Sequence, residues 1–527
     1  MKTLYKYISV AVTVTLLIFF SFGLAPKSSQ KLPGENYTTL DRQPRIRPDY
    51  CDTVIPPNIA PLNFLVEEVG TSYYVKIYSK SAEPIEIFSR SPKIIIPLAQ
   101  WRKLLDANRG QKLCFDVYAQ APDGKWLRFA AITNTIAEEN IDPFLVYRKI
   151  HPAHNMWSRM GIYQRNLENF DEQTLMDNEH FKRGCLNCHS FCGNHPDKMF
   201  ISIRSEEYGS SAILAEDGSV NKIGTKFGYT SWHPNGRLAA YSINFVGQFF
   251  HTARNEVRDV IDLDSALAYY NTDSKISKTF PDIAKKDELE TYPAWSPDGR
   301  YLYFSRAPLV WGSSRKELPP NYDQVRYDLM RISYDAGKDR WGPVETVLSS
   351  KDTGLSILEP RISPDGRWLL CCMCDYGCFP VYQQSSDLYL IDLKAAEQTG
   401  RFDYQRLDIN SDQSESWHGW SSNNRWFAFS SKKDYGKFTR IYISYIDDEG
   451  NVGKPIIVSQ KDPAFYDSCL KTFSVPELIT GPVRVSKEKI GSAIRGTRKI
   501  EVAMPITMAT PKAGTPPGQI QAWQQRE

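Results

Sequence analysis

"YPAWSPDGRYLYFS", residues 292–305, decides the fold. An apolar approach ending in Trp295 enters the turn Ser-Pro-Asp-Gly, and a run of apolar residues carries the chain away again. Asp-Gly supplies the positive backbone angles that a tight hairpin needs without steric cost, so the stretch reads as two antiparallel strands around a turn. The pattern returns in "YTSWHPNGRLAAYS" from Tyr229, "EPRISPDGRWLLCC" from Glu359 and "HGWSSNNRWFAFSS" from His418, about every sixty residues. The last copy keeps the turn chemistry through Asn423 and Asn424 but has no glycine.

Further alternating segments follow the copies, among them "YDLMRISYD", "SDLYLIDL" and "TRIYISYID". A unit of several short strands cannot bury its apolar face alone, whereas radial stacking of such units gives a continuous core. Adding the pair "MFISIRS" and "SAILAEDG", the sequence predicts an all-β protein, a β-propeller of five or six blades over residues 198–485. The turn motif resembles the Ser-Pro-Asp-Gly, WD-like repeat of TolB-like propellers and of the propellers of prolyl oligopeptidases.

Residues 48–143 contain a similar turn, "APDGKWLRFA", but lack the sixty-residue spacing. The strands "SYYVKIYS", "PIEIFS", "KIIIPL", "KLCFDVYAQ" and "WLRFAAITN" suit a small β-sandwich of immunoglobulin-like size preceded by a linker, 26–47. A less strand-like connecting segment, 144–197, separates sandwich from propeller. Residues 486–527 form a C-terminal tail, which from 503 is rich in Pro, Thr and Gln and is expected to be disordered.

The first 25 residues place Lys2 and Lys6 ahead of an uncharged run, Ile8 to Ala25, which is an export signal. Pro26 follows the expected cleavage point, so a retained N-terminal anchor in the inner membrane is favoured over cleavage, with the bulk of the chain in the periplasm or another extracytoplasmic space. The 64 basic and 61 acidic residues nearly cancel, and no long Lys/Arg run offers a phosphate-binding stripe, which argues against nucleic acid as a partner. Outside the cytoplasm the ten cysteines have access to disulfide chemistry. The run "CCMCDYGC", 371–378, continues a strand, and adjacent strand residues face opposite sides; buried strand positions or a local disulfide suit it better than a metal. Asp262 and Asp264 are read as solvated acids.

The chemistry-bearing cluster is "CLNCHSFCGNH", 185–195. Cys185, Cys188 and His189 form Cys-x-x-Cys-His. Two thiols a short turn apart can join the two vinyl groups of one haem, and the next imidazole can ligate its iron. The alternative uses Cys185, Cys188, Cys192 and His195 as a tetrahedral zinc set, a structural clip. Haem is preferred, because its covalent attachment follows export and an export signal is present; a disulfide ranks below both. The sixth-ligand candidates are Met199 and Met160, with His151, His154, His180, His195 and His251 behind them, and an open sixth position is also allowed.

"MGIYQRNLENF", "CLNCHSF" and "QFFH" ending at His251, followed by the Ser-Pro-Asp-Gly repeats, are similar to a family of exported TolB-like propeller proteins with a single haem motif, common in Bacteroidetes and loosely called cytochrome c biosynthesis proteins. The resemblance implies a monohaem module joined to a propeller and brings no reaction with it. The expected role is electron transfer or a redox-linked envelope function, with a redox protein or an envelope protein or peptide as partner. An envelope binding or assembly propeller is the alternative. Only about forty residues follow the last blade and no G-x-S-x-G elbow is present, which excludes a prolyl-oligopeptidase-type serine hydrolase; the single haem motif excludes a dihaem peroxidase.

Overall fold

A computed structural model describes residues 37–151, 159–250, 256, 258–311 and 319–502. The export signal, the tail from 503, His154 and His251 lie outside them. Among the described residues no helix is long and apolar enough to cross a membrane.

Six four-stranded antiparallel sheets form the blades of a β-propeller. Blades 3 to 6 begin with the innermost strands Gly228–Trp232, Glu288–Trp295, Ser356–Ile362 and Glu415–Trp420, each leading into one of the repeated turns. The turns share a hydrogen-bond code that explains their residues. Ser296 Oγ donates to Asp298 Oδ1 at 2.6 Å, which also accepts from Arg300 N at 3.0 Å. Ser421 donates to Asn423 at 2.6 Å in the glycine-free copy, where Asn424 takes the left-handed conformation at φ 65° that Gly299 holds at φ 72° elsewhere.

The ring starts earlier than its repeats indicate. Phe144–Ile150, Gly161–Asn166 and Glu172–Asp177 are three strands of blade 1, and Thr472–Ile479 from the other end of the chain supplies the innermost one. Residues 144–197 are therefore not a connecting segment: they build blade 1 and open blade 2, whose strands are Cys185–Cys192, His195–Ser205, Gly209–Glu216 and Ser219–Ile223. The misreading has a physical cause, since blade 1 closes through a pairing of Phe144 with Ile479, which no local pattern carries.

The N-terminal domain pairs a seven-stranded sheet with a three-stranded one, Ile46–Arg47, Phe64–Val66 and Lys93–Ile94, and includes a helix, Leu98–Asp106. The linker is shorter than its composition implies, because Tyr37–Thr39 pairs with Trp126–Arg128. Domain and propeller share one core cluster. Asp142 accepts from Ser422 N and Ser422 Oγ at 2.8 and 2.6 Å. The stretch after the ring is ordered through 502: helix Lys487–Arg495 buries Ile490 and Ile494 against blades 1 and 2, and Ile500 bridges to Ile223.

Closure through blade 1 makes its innermost strand a stability determinant. Ile479→Ala, at a fully buried position, is expected to cost about 2–5 kcal/mol in chemical denaturation, whereas Val69→Ala, 82% exposed, is expected to cost little.

Candidate functional site

Each innermost strand breaks its ladder at a matching point. The register slips between Asn187 and Ser190, Gly228 and Ser231, Thr291 and Ala294, Leu358 and Arg361, and Ser416 and His418; in blade 1 it slips opposite Val475. At every slip stands a non-glycine residue with positive φ: Cys188 (52°), Tyr229 (39°), Tyr292 (53°), Glu359 (54°), Trp417 (46°) and Val475 (54°). Such bulges re-aim side chains and gather at functional sites. Tyr229, Tyr292, Glu359, Trp417 and Val475 line one pocket, together with Arg361, His418 and Glu477. Cys188 takes the corresponding position in blade 2.

The Cys-x-x-Cys-His motif therefore occupies an innermost strand at its bulge. Cys185 is buried, and its Sγ accepts from Arg204 Nη2 at 3.3 Å. Burial pushes the Cys188 thiol up, while the Tyr229 backbone N–H, Arg148 and Arg204 pull it back. Lys226 reaches the same region, and burial beside Arg204 pushes its ammonium down to about 8. Three cations thus surround the two thiols. His189 is buried, with its basicity pushed down to about 3 by burial and then by Arg148. The Val146 and Val475 carbonyls lie alongside its ring and pull its basicity back up, yet neither ring nitrogen makes a hydrogen bond of full geometry.

The other predicted ligands are placed differently. Cys185 and Cys192 stand at the two ends of one eight-residue strand, about 23 Å apart at the usual rise. His195 pairs with Cys192 across the Gly193–Asn194 turn and is exposed. The zinc set Cys185, Cys188, Cys192 and His195 therefore does not converge, because an extended strand cannot fold back as the compact loop required. Met199 packs in the core between blades 1 and 2, cross-strand from Phe191. Met160 Sδ accepts from Leu186 N at 3.3 Å, which ties blade 1 to the motif. His180 Nδ1 hydrogen-bonds Asp177 Oδ1 at 2.7 Å near the surface, and His151 directly follows the strand Phe144–Ile150. All ten cysteines are free.

Two acids near the axis, Glu359 and Glu477, are not singled out in the sequence, and a third, Asp262, is read there as solvated. Burial pushes Glu359 and Glu477 each up to about 7; Glu359 accepts from Trp417 N at 2.6 Å and Glu477 from Phe191 N at 2.9 Å. Asp262 is buried rather than solvated, pushed up to about 7, and accepts from Asn244 at 2.8 Å. One signal that finds the axial residues of the four repeated copies is their place three positions before the apolar residue that enters the turn, as in Tyr292 before Trp295 and Trp417 before Trp420.

No protein-family model and no curated protein matches the chain. Solved structures with a similar fold include hydrazine synthase of Kuenenia stuttgartiensis (14% identity, 49% of this chain and 63% of that one, TM-score 0.29). Oligogalacturonate lyase of Vibrio parahaemolyticus matches at 10% identity over 58% of this chain and 92% of its own, TM-score 0.30. The β-propeller domain of the Trilobed protease of Pyrococcus furiosus matches at 12% identity over 66% and 83%, TM-score 0.31. The chain thus spans less than two thirds of the hydrazine synthase chain.

The raised acids make stability depend on pH. Between the ordinary 4.5 of Glu477 and its folded value of about 7, the folded state keeps a proton that the unfolded chain has released, so stability falls as pH rises through this window. Glu477→Gln retains the acceptor for Phe191 N and removes the titration. Denaturation midpoints of this variant should decline less between pH 5 and 8 than those of the parent protein, by on the order of 1 kcal/mol.

Proposed function

We propose that this chain is an exported, membrane-tethered propeller protein carrying one covalent haem, and that it works in electron transfer or a redox-linked function of the cell envelope. The observation that carries the reading is His189. His418 holds the same repeat position in blade 6, and its Nε2 donates to Leu370 O at 3.0 Å. His189 is equally buried and has no such bond, which leaves two unsatisfied ring nitrogens in the interior. Iron ligation would satisfy one of them.

The donor set fits the group. Cys185 and Cys188 offer two thiols, with Cys185 close enough to help raise the basicity of Cys188 across the bulge. The bulge suspends the alternation that sends neighbouring strand residues to opposite faces, and Arg148 lies against both Cys188 and His189. Arg148, Arg204 and Lys226 provide cations for the two carboxylates that a haem carries. When bound, the haem supplies one-electron redox chemistry. The chain would hold it, neutralise its carboxylates and keep an imidazole uncharged for the iron. Redox partners, or an envelope protein or peptide, would dock on the propeller.

Protein exported from a host with haem-attachment machinery is expected to show haem bands that stay with the polypeptide after denaturation in alkaline pyridine. Cys185→Ser with Cys188→Ser should abolish them while leaving the β-rich circular dichroism spectrum intact. A colourless parent protein would refute the haem and the electron-transfer role with it.

A further inference from the structure

A second constellation lies between blades 5 and 6. Glu359 stands at the bulge of the innermost strand of blade 5, Cys372 on the neighbouring strand Trp368–Cys374, and His418 just after the bulge of blade 6. All three are buried, and one ligand atom from each lies within 4.8 Å of the others. Cys372 Sγ is 3.5 Å from Glu359 Oε2 and 3.6 Å from His418 Nδ1. Zinc bonds to sulfur, nitrogen and oxygen set tetrahedral ligand separations of about 3.4–3.6 Å.

We propose that Glu359, Cys372 and His418 bind a borderline-soft divalent cation of the zinc class, with the fourth coordination position facing the axial pocket. Four features support this site. His418 donates its Nε2 proton to Leu370 O, which fixes the tautomer and leaves Nδ1 as a lone pair toward Cys372, the arrangement found behind metal-ligating histidines. Glu359 Oε1 is buried without a hydrogen-bond partner, although Oε2 is held by Trp417 N at 2.6 Å. Glu359 and His418 line the pocket and Cys372 does not, so three ligands close one side of the ion and leave the other open to an oxygen donor from water or a small molecule. Finally, the charges cancel. On binding, the S–H bond of Cys372 breaks, its proton and any proton on the Glu359 carboxyl leave to solvent, and metal–sulfur and metal–oxygen bonds form, so thiolate and carboxylate together neutralise the divalent ion in a buried place.

This site differs from the rejected zinc set, and from the cysteine run read as a unit. Cys371 joins the core between blades 4 and 5, while Cys372 and Cys374 face the other side of their strand. The run's cysteines do not converge on each other; Cys372 converges with residues 13 and 46 positions away.

Full-length protein stripped with a chelator and dialysed against Zn²⁺ should take up one equivalent. Cys372→Ser and Glu359→Gln should each weaken uptake at least about tenfold, and Cys185→Ser with Cys188→Ser should leave it unchanged. Co²⁺ in place of Zn²⁺ should show a sulfur-to-cobalt charge-transfer band that Cys372→Ser removes. Should Cys372→Ser fail to fold, the isosteric Glu359→Gln decides alone. Absence of uptake by the parent protein, uptake indifferent to the blade 5 and 6 variants, or uptake lost only with Cys185 and Cys188 would each overturn the proposal.

Discussion

Six strands must meet around one axis, and each opens its hydrogen-bond ladder there. The residue at the opening adopts a left-handed conformation that costs a side-chain-bearing residue about 1–2 kcal/mol, and the six positions carry Cys, Tyr, Tyr, Glu, Trp and Val rather than glycine. Packing on either side of each bulge holds them. Trp232 Nε1 donates to Ser190 O in the preceding blade at 3.3 Å, and Trp420 Nε1 repeats the contact with Arg361 O at 3.0 Å. The tryptophans of blades 3 and 6 thus bolt those blades to their neighbours beside the strained residue, whereas Trp295 of blade 4 packs in the core without such a bond.

This geometry separates what the fold demands of "CLNCHSFC" from what it does not. Phe191 occupies the place of Trp232 and Trp420, and Cys192 that of the turn residues Ser296 and Ser421; both are blade residues. His189 matches Pro293, Pro360, His418 and Pro476, so a propeller accepts a proline there and has no need of an imidazole. A buried histidine without hydrogen bonds at such a place is a cost, and a cysteine at a bulge otherwise held by larger side chains leaves room at the axis. The identities of the residues at these positions, more than their placement, point beyond the fold.

The propeller was legible because its turns are local. Ser-Pro-Asp-Gly encodes its own hydrogen bonds, and four copies at regular spacing announce stacked blades. Blade 2 hid its turn as Gly193–Asn194, both with positive φ, inside the cluster that drew attention for its cysteines. Blade 1 was illegible for another reason: its inner strand lies more than 300 residues from its neighbour, a distance visible only in the pairing of Phe144 with Ile479. The site was legible by half. Cys185, Cys188 and His189 stood out by spacing, whereas Glu359, Cys372 and His418 come from three strands of two blades and share no motif.

The reinforcement of the ring is uneven, and it falls on the blades that hold the Cys-x-x-Cys-His motif. Helix Lys487–Arg495 crosses the outer edges of blades 1 and 2: Lys222 donates to Ile494 O at 2.8 Å and Lys487 to Asp177 at 2.6 Å. Met160 of blade 1 accepts from the backbone of Leu186 within the motif itself. On the opposite face the sandwich grips the turn of blade 6 through Asp142 and accepts from Trp426 Nε1 at Glu139 O, next to the closing strand. The N-terminal domain and the helix Lys487–Arg495 therefore brace the seam where the ring closes, which in an open arc of sheets would be the first place to part. A closed seam keeps His189 away from water, and that burial, with Arg148 nearby, holds its imidazole neutral.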